Sequence, residues 1–342
     1  MIRSVGMNDL WVLQRKPRSS VMLYNEDMLV SPYRPRWFTL QRAVQGSSPA
    51  GAALVFEDQS GIQALVHATR RRQRVELDIV MLSAYDAAGT NTDPDMWFRL
   101  LETLCIQAGQ HHVQRLYAGL SQRHDELREI FRQLGFRYYA QQHVMRLEGP
   151  DWDQGTSLAP MRPQSQRDIW SIHQLYGALT PRPVQQAEAR EARSWKLPLA
   201  QRWHRKQRRA WVLGHHESLQ AYLALTSGSV AHVMTMLIRP EARELTTSVL
   251  RFALGQISDE LPVYLLLRDY QNELMLPAGD LGFQPIGAQA LLVKQTTLSV
   301  RRPILTPAME PGIEPRAPLP TISLFDEDRR SHVRSARYDE WY

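Results

Sequence analysis

Carboxylates and imidazoles on central strands are the groups that take protons in general base chemistry. Glu76 and Asp78 fall in one predicted strand, Val75–Leu82, and His232 falls in another, Val230–Ile238. Each has a structural account beside the catalytic one. A solvated strand face suits Glu76 and Asp78, and a hydrogen-bonded core histidine is the favoured account of His232. Tyr117 and Tyr264 occupy matching places in two apolar runs and are expected to pack. The single thiol, Cys105, lies on the apolar side of a predicted helix with no histidine at helical spacing, so packing is expected of it. No complete catalytic set emerges, and His232 and Tyr264 are left as the catalytic candidates. No metal site is expected.

Positive charge gathers in three places. Ile238-Arg239-Pro240-Glu241-Ala242-Arg243-Glu244-Leu245-Thr246-Thr247-Ser248 joins a predicted strand to a predicted helix. A helix start presents unpaired N–H groups and the positive end of its dipole, which in general favour negative charge. An ordinary capped start, with Thr246 or Thr247 as the cap, fits equally well. The run Arg202-Trp203-His204-Arg205-Lys206-Gln207-Arg208-Arg209 mixes cations with an aromatic ring, as nucleic-acid surfaces do. A solvated helix is favoured for it, with Trp195 and Trp203 eight residues apart on one face unless Pro198 interrupts. Arg70-Arg71-Arg72-Gln73-Arg74 is expected to be an exposed turn.

The elements that must hold these residues come twice. Residues 125–148 align with 272–295 without a gap, matching Glu126, Leu127, Leu134, Gly135 and Phe136 to Glu273, Leu274, Leu281, Gly282 and Phe283. Ile62–Thr69 resembles Leu219–Thr226, and Arg3, Asp9 and Trp11 match Arg162, Asp168 and Trp170. A period this long means duplicated domains, since solenoid repeats are much shorter. Each half reads as an opening strand, a helical stretch, a hairpin, a strand and amphipathic helix, a buried strand, a short helix, then a last strand after Leu-Gly-Phe. Asp93 and Pro94 look like the cap and first residue of the first long helix.

At its two Leu-Gly-Phe elements the chain resembles the GNAT (Gcn5-related N-acetyltransferase) superfamily. Ile130-Phe131-Arg132-Gln133-Leu134-Gly135-Phe136 is similar to the family's ending, and Ala278-Gly279-Asp280-Leu281-Gly282-Phe283 is a weaker copy. The resemblance implies an α/β fold of two GNAT-like domains, each a mixed, mostly antiparallel sheet flanked by helices. It also implies acetyl-CoA or another acyl-CoA as cofactor and an amine as acceptor. In such proteins the pyrophosphate sits at the helix after the fourth strand. That places it on Ile238, Arg239, Arg243, Leu245, Thr246, Thr247 and Ser248, where hydroxyls replace the family's glycines. The corresponding stretch of the first half carries Asp86, Asp93 and Asp95 and would repel it. The tyrosine that often serves as general acid is replaced by Phe131 and Ala278.

Composition fits this reading. The chain has 342 residues, 43% hydrophobic and 22% charged, with a net charge of +6. Those proportions are those of a folded protein. One cysteine fits a reducing, cytoplasmic setting, and neither a signal peptide nor a membrane-length apolar run is read. The expected organisation is a degenerate domain over 1–150, a second over 157–300 and a proline-rich disordered tail over 301–342. The duplication supplies an internal pseudo-dimer, consistent with a monomer. Three functions are carried forward: acyl-CoA-dependent N-acyltransfer, a catalytically inactive GNAT-fold binding or assembly module, and nucleic-acid binding through Arg202–Arg209.

Overall fold

The computed structural model describes residues 1–9, 17–31, 51–59, 61–71, 74–85, 94–149, 159–197, 207–216 and 218–296. The expected tail, together with Trp11, Asp86, Asp93 and Arg202–Lys206, lies outside these residues.

The first half runs β1 (Ile2–Ser4), β2 (Ser19–Met22), α1 (Glu26–Val30), β3 (Gly51–Asp58), β4 (Gly61–Arg70), β5 (Glu76–Ala84), α2 (Pro94–Gln110), β6 (Arg115–Ser121), α3 (Asp125–Gln133) and β7 (Arg137–Leu147). The second runs β8 (Arg162–Pro163), α4 (Asp168–Leu179), α5 (Arg182–Glu188), β9 (Gln207–His215), β10 (Ser218–Ser227), β11 (His232–Ile238), α6 (Thr246–Leu254), β12 (Val263–Arg268), α7 (Met275–Asp280) and β13 (Gln284–Gln295). Short 3-10 turns at Pro240–Leu245 and Asp269–Leu274 lead into α6 and α7. The fold is thus α/β, built on a mixed and mostly antiparallel sheet.

The repeated sequence blocks make repeated structure. Gly135 and Gly282 have φ of +83° and +90°, the left-handed region that a side chain disfavours. Each ends a helix in the same way: the N–H of Phe136 donates to Phe131 O at 3.0 Å, and that of Phe283 to Ala278 O at 3.1 Å. At the other end of the unit, Arg3 donates a two-pronged pair to Asp9 at 2.6 and 2.8 Å while the Gly6 N–H donates to the same carboxylate. Arg162, Asp168 and the Ser165 N–H repeat this arrangement at 2.9, 2.7 and 2.7 Å.

The strand order is β1-β3-β4-β5-β6-β13-β7-β12-β11-β10-β9-β8, with β2 added against β5. The two last strands are therefore exchanged. β13, from the second half, pairs with β6 and β7 of the first, and β7 pairs with β12 of the second. The cores follow the exchange. Leu292 of β13 packs in the first-half core under α2 and α3, whereas Met145 of β7 packs in the second-half core under α6 and α7. Leu100, Leu101 and Leu104 of α2 are fully buried, each stabilising that core by about 1.5–3 kcal/mol. On the opposite face of the second half, α4 covers Ala210, Val212 and Tyr222.

One expectation needs correcting. Gln207, Arg208 and Arg209, read as the end of a helix, form the start of β9, where they pair with Ser227, Thr226 and Leu225. The pull of the sheet edge exceeds local helix propensity there. Ala192–Trp195 is a short 3-10 helix followed by an extended Lys196, and Pro198 and Trp203 lie outside the described residues.

Candidate functional site

Both halves contain a parallel strand pair that diverges. β5 and β6 pair only from Glu76↔Arg115 to Ile79↔Ala118, although β5 continues to Ala84. β11 and β12 pair only from His232↔Val263 to Met234↔Leu265, although β11 continues to Ile238. Diverging strands leave backbone N–H and C=O groups on their inner edges, and these need partners.

The halves meet this need differently. In the first, β2 pairs with the freed edge of β5 from Met22↔Met81 to Ser19↔Ala84, and the Leu23 N–H donates to Val80 O. In the second, one side chain spans the opening: Gln271 accepts from the Arg268 N–H at 3.1 Å and donates to Met236 O at 2.9 Å. Among the described residues, no strand pairs with the freed edge of β11.

The anion-site candidates lie at the mouth of this second opening. Ile238 is buried in the core, and Leu245 packs on it. Arg239 points back along the hairpin, with its Nε donating to Leu219 O at 2.8 Å. Thr246 is buried and caps internally, its hydroxyl donating to Arg243 O at 2.6 Å, and its N–H is also spent on that carbonyl. Thr247 and Ser248 are half-buried on the first turn of α6, and Arg243 is exposed. Arg243 pairs with Glu273 at 2.8 Å. Such an exposed pair is worth at most about 1 kcal/mol, so a phosphate could displace it.

The structure does not bring the catalytic candidates together. His232 is buried, with Nδ1 hydrogen-bonded to Ser227 Oγ at 2.9 Å and Nε2 to Asp259 at 2.7 Å. Tyr264 is the register partner of Val233, so it lies on the other sheet face from His232. There it packs with Val30, Val233 and Leu266, under the Arg146 guanidinium. Tyr117 is buried, and its hydroxyl donates to Ala187 O at 2.9 Å. Phe131 and Ala278, at the family's acid position, are fully buried. Cys105 is buried too, and burial pushes its thiol up to about 11. Among the described residues, no cluster of histidine, cysteine and carboxylate side chains could hold a metal ion.

Glu76 and Asp78 do not form a solvated face. Glu76 is buried between Arg74 at 3.3 Å and Arg115 at 3.1 Å, and Asp78 bonds Arg71 at 2.8 Å. Burial raises the pKa of Asp78, with Arg71 opposing that rise. The expected exposed turn is corrected with them. Arg71 stacks over the Tyr117 ring at 3.5 Å, and Arg74 donates to Glu188 O and Ala189 O at 2.6 and 3.0 Å, tying the first half to the end of α5.

Glu188 is a residue that sequence reasoning missed. It is buried, accepting from Arg190 at 2.8 Å, Arg268 at 3.1 Å and the Tyr176 hydroxyl at 3.0 Å. Burial works to raise its pKa, but Arg190 and Arg268 outweigh that and hold it at about 2. Its only signal in sequence was a carboxylate at the end of an otherwise mixed helix.

No protein-family model matches the sequence, and no curated protein matches it. No helix among the described residues is long and apolar enough to cross a membrane. In fold, the chain is similar to a tandem GNAT protein from the clavulanic acid biosynthesis pathway, at 12% identity and a TM-score of 0.48, over 87% of this chain and 99% of that one. It is similar to a GCN5-related N-acetyltransferase from Sphaerobacter thermophilus, at 12% identity and a TM-score of 0.49, over 87% and 96%. It is also similar to a GNAT-family acetyltransferase from Colwellia psychrerythraea, at 9% identity and a TM-score of 0.40, over 86% and 99%.

Proposed function

We propose that the chain is a GNAT-like, acyl-CoA-dependent N-acyltransferase with one cofactor cleft, in its second half. The observation that carries this is the contrast between the two diverging strand pairs. β2 closes the first opening along four residue pairs, whereas a single amide side chain, Gln271, spans the second. The free edge of β11 offers backbone groups to an amide-bearing arm, as sheet edges do to extended ligands. Beside it, Arg243, Thr247 and Ser248 and the start of α6 would hold the pyrophosphate.

When bound, acyl-CoA supplies an activated thioester. This chain's own part is to position it: the β11–β12 opening orients the arm, and the packed face of α6 excludes water beneath it. His232 has both ring nitrogens engaged and is assigned no proton transfer. Holding an amine against a thioester is itself worth several kcal/mol, so solvent is left to take the proton.

One observation favours a second reading, a binding module without catalysis. The positions that would carry the general acid are Phe131 and Ala278, fully buried and unable to donate a proton.

A melting series with acetyl-CoA, alongside a thiol-release assay over simple amines, tests both readings. Saturating acetyl-CoA should raise the melting temperature, and Arg243→Glu should abolish the rise. A shift without thiol release selects the binding module. No shift at millimolar acetyl-CoA, or an unchanged shift in Arg243→Glu, refutes the cofactor assignment.

A further inference from the structure

A cavity away from the start of α6 opens on the face of the sheet that α1 and α5 cover, and both halves line it. Its volume is about 290 Å³, at the small end of the range for metabolite pockets. Six guanidinium groups border it: Arg70, Arg71, Arg74, Arg190, Arg208 and Arg268. Four carboxylates line it with them, Glu26, Asp27, Asp78 and Glu188, so among the described lining residues positive groups outnumber negative ones by two.

The floor is a polar row across three adjacent strands. Arg268 of β12 is the register partner of Gln142 of β7, and Gln142 is that of Gln289 of β13. Register partners share a face with side chains about 5 Å apart, so the guanidinium and two amides stand in line. All three line the cavity. Gln142 and Gln289 are only 5% and 7% exposed, an unusual burial for amides in the middle of a sheet.

Arg268 holds one nitrogen without an acceptor. Its second Nη donates to Glu188, while Nη1 is buried and has no hydrogen-bond partner. A buried donor without an acceptor is costly, which favours a turn of the guanidinium that brings it to an acceptor in the cavity. Glu188 is saturated by Tyr176, Arg190 and Arg268, so it serves to fix the guanidinium and not to bind ligand.

We propose that this cavity binds a small organic or inorganic dianion, whose oxygens are held by Arg268 and by the Gln142 and Gln289 amides. That excess of positive groups, forked donors and a small volume suit a dicarboxylate or a phosphate and leave no room for a nucleotide. The site does not depend on acyl-CoA, and its test omits acyl-CoA.

The experiment is melting of the full chain with 10 mM succinate, 10 mM inorganic phosphate, 10 mM succinamide, and sodium chloride at matched ionic strength. A dianion bound at about a hundredth of that concentration should raise the melting temperature by roughly 3 °C or more. Succinamide should give no rise. A rise with succinate alone assigns a carboxylate ligand, and one with phosphate alone assigns a phosphoryl ligand. Gln142→Leu, which removes an acceptor-binding amide but no ion pair, should lose most of the rise, and Arg268→Met should lose all of it. If Arg268→Met does not fold, Gln142→Leu and Gln289→Leu carry the test. No rise with either dianion over the salt control, or a full rise in both glutamine variants, overturns the proposal.

Discussion

Replacing Glu188 by glutamine tests the physical reasoning most directly. The change keeps the shape and removes one negative charge beside Arg190 and Arg268. The carboxyl titrates at about 2 in the folded chain, against 4.5 ordinarily, because the two guanidinium groups outweigh the burial that would raise it. At about 1.4 kcal/mol per pKa unit, this depression makes the ionised form worth about 3 kcal/mol to the fold. The sign follows from the direction. A depressed acid contributes fully above its unfolded value, loses the contribution as pH falls from about 4.5 towards 2, and contributes nothing below both. Glu188→Gln should therefore lower the melting temperature at pH 7 by roughly 5–10 °C. It should also flatten the acid limb of the stability curve between those two pH values. Thermal melts of both proteins at half-unit pH steps measure both effects. A variant as stable as the parent at pH 7, or one with the same acid limb, would show that the network is held by packing and not by charge.

Two further outcomes are expected. Gly135→Ala and Gly282→Ala each force a side chain into φ above +80° and should each cost about 1–2 kcal/mol, read as similar shifts in denaturant midpoint; a tolerated change at one of them would mean that its helix does not end as described. Cys105, buried and pushed up to about 11, should stay unmodified by a thiol reagent at pH 8 until the chain is unfolded; fast labelling of the native protein would refute its burial.

Local patterns in the sequence translated well into structure. Leu-Gly-Phe, the hairpins and the Arg–Asp spacing each depend on residues close together in the chain, and they appear as helix ends, paired strands and forked ion pairs. What failed was the reading of charge. Arg71, Arg74, Glu76 and Asp78 look like surface residues by composition, yet each is paired, and part of that pairing runs to Glu188 and Ala189 more than a hundred residues away. No local pattern carries a contact of that length. β2 was missed for a related reason: four residues with two serines have little strand character of their own, and they form a strand because β5 presents an unpaired edge. Among the anion-site candidates, sequence could not tell that Thr246 spends its hydroxyl on Arg243.

The exchange of last strands has a consequence in time. Gln289 pairs with Ser121, so the sheet of the first half stays incomplete until a segment made almost 170 residues later arrives between β6 and β7. Until then β6 and β7 each present a row of unpaired backbone N–H and C=O groups that can bond to the wrong neighbour. Completion is therefore a single late event for both halves, and slow by its topology, since contacts so distant along the chain pay their closure entropy first. A gene divided between β7 and β8 would encode two fragments that each lack a central strand, and only their meeting would restore the sheet.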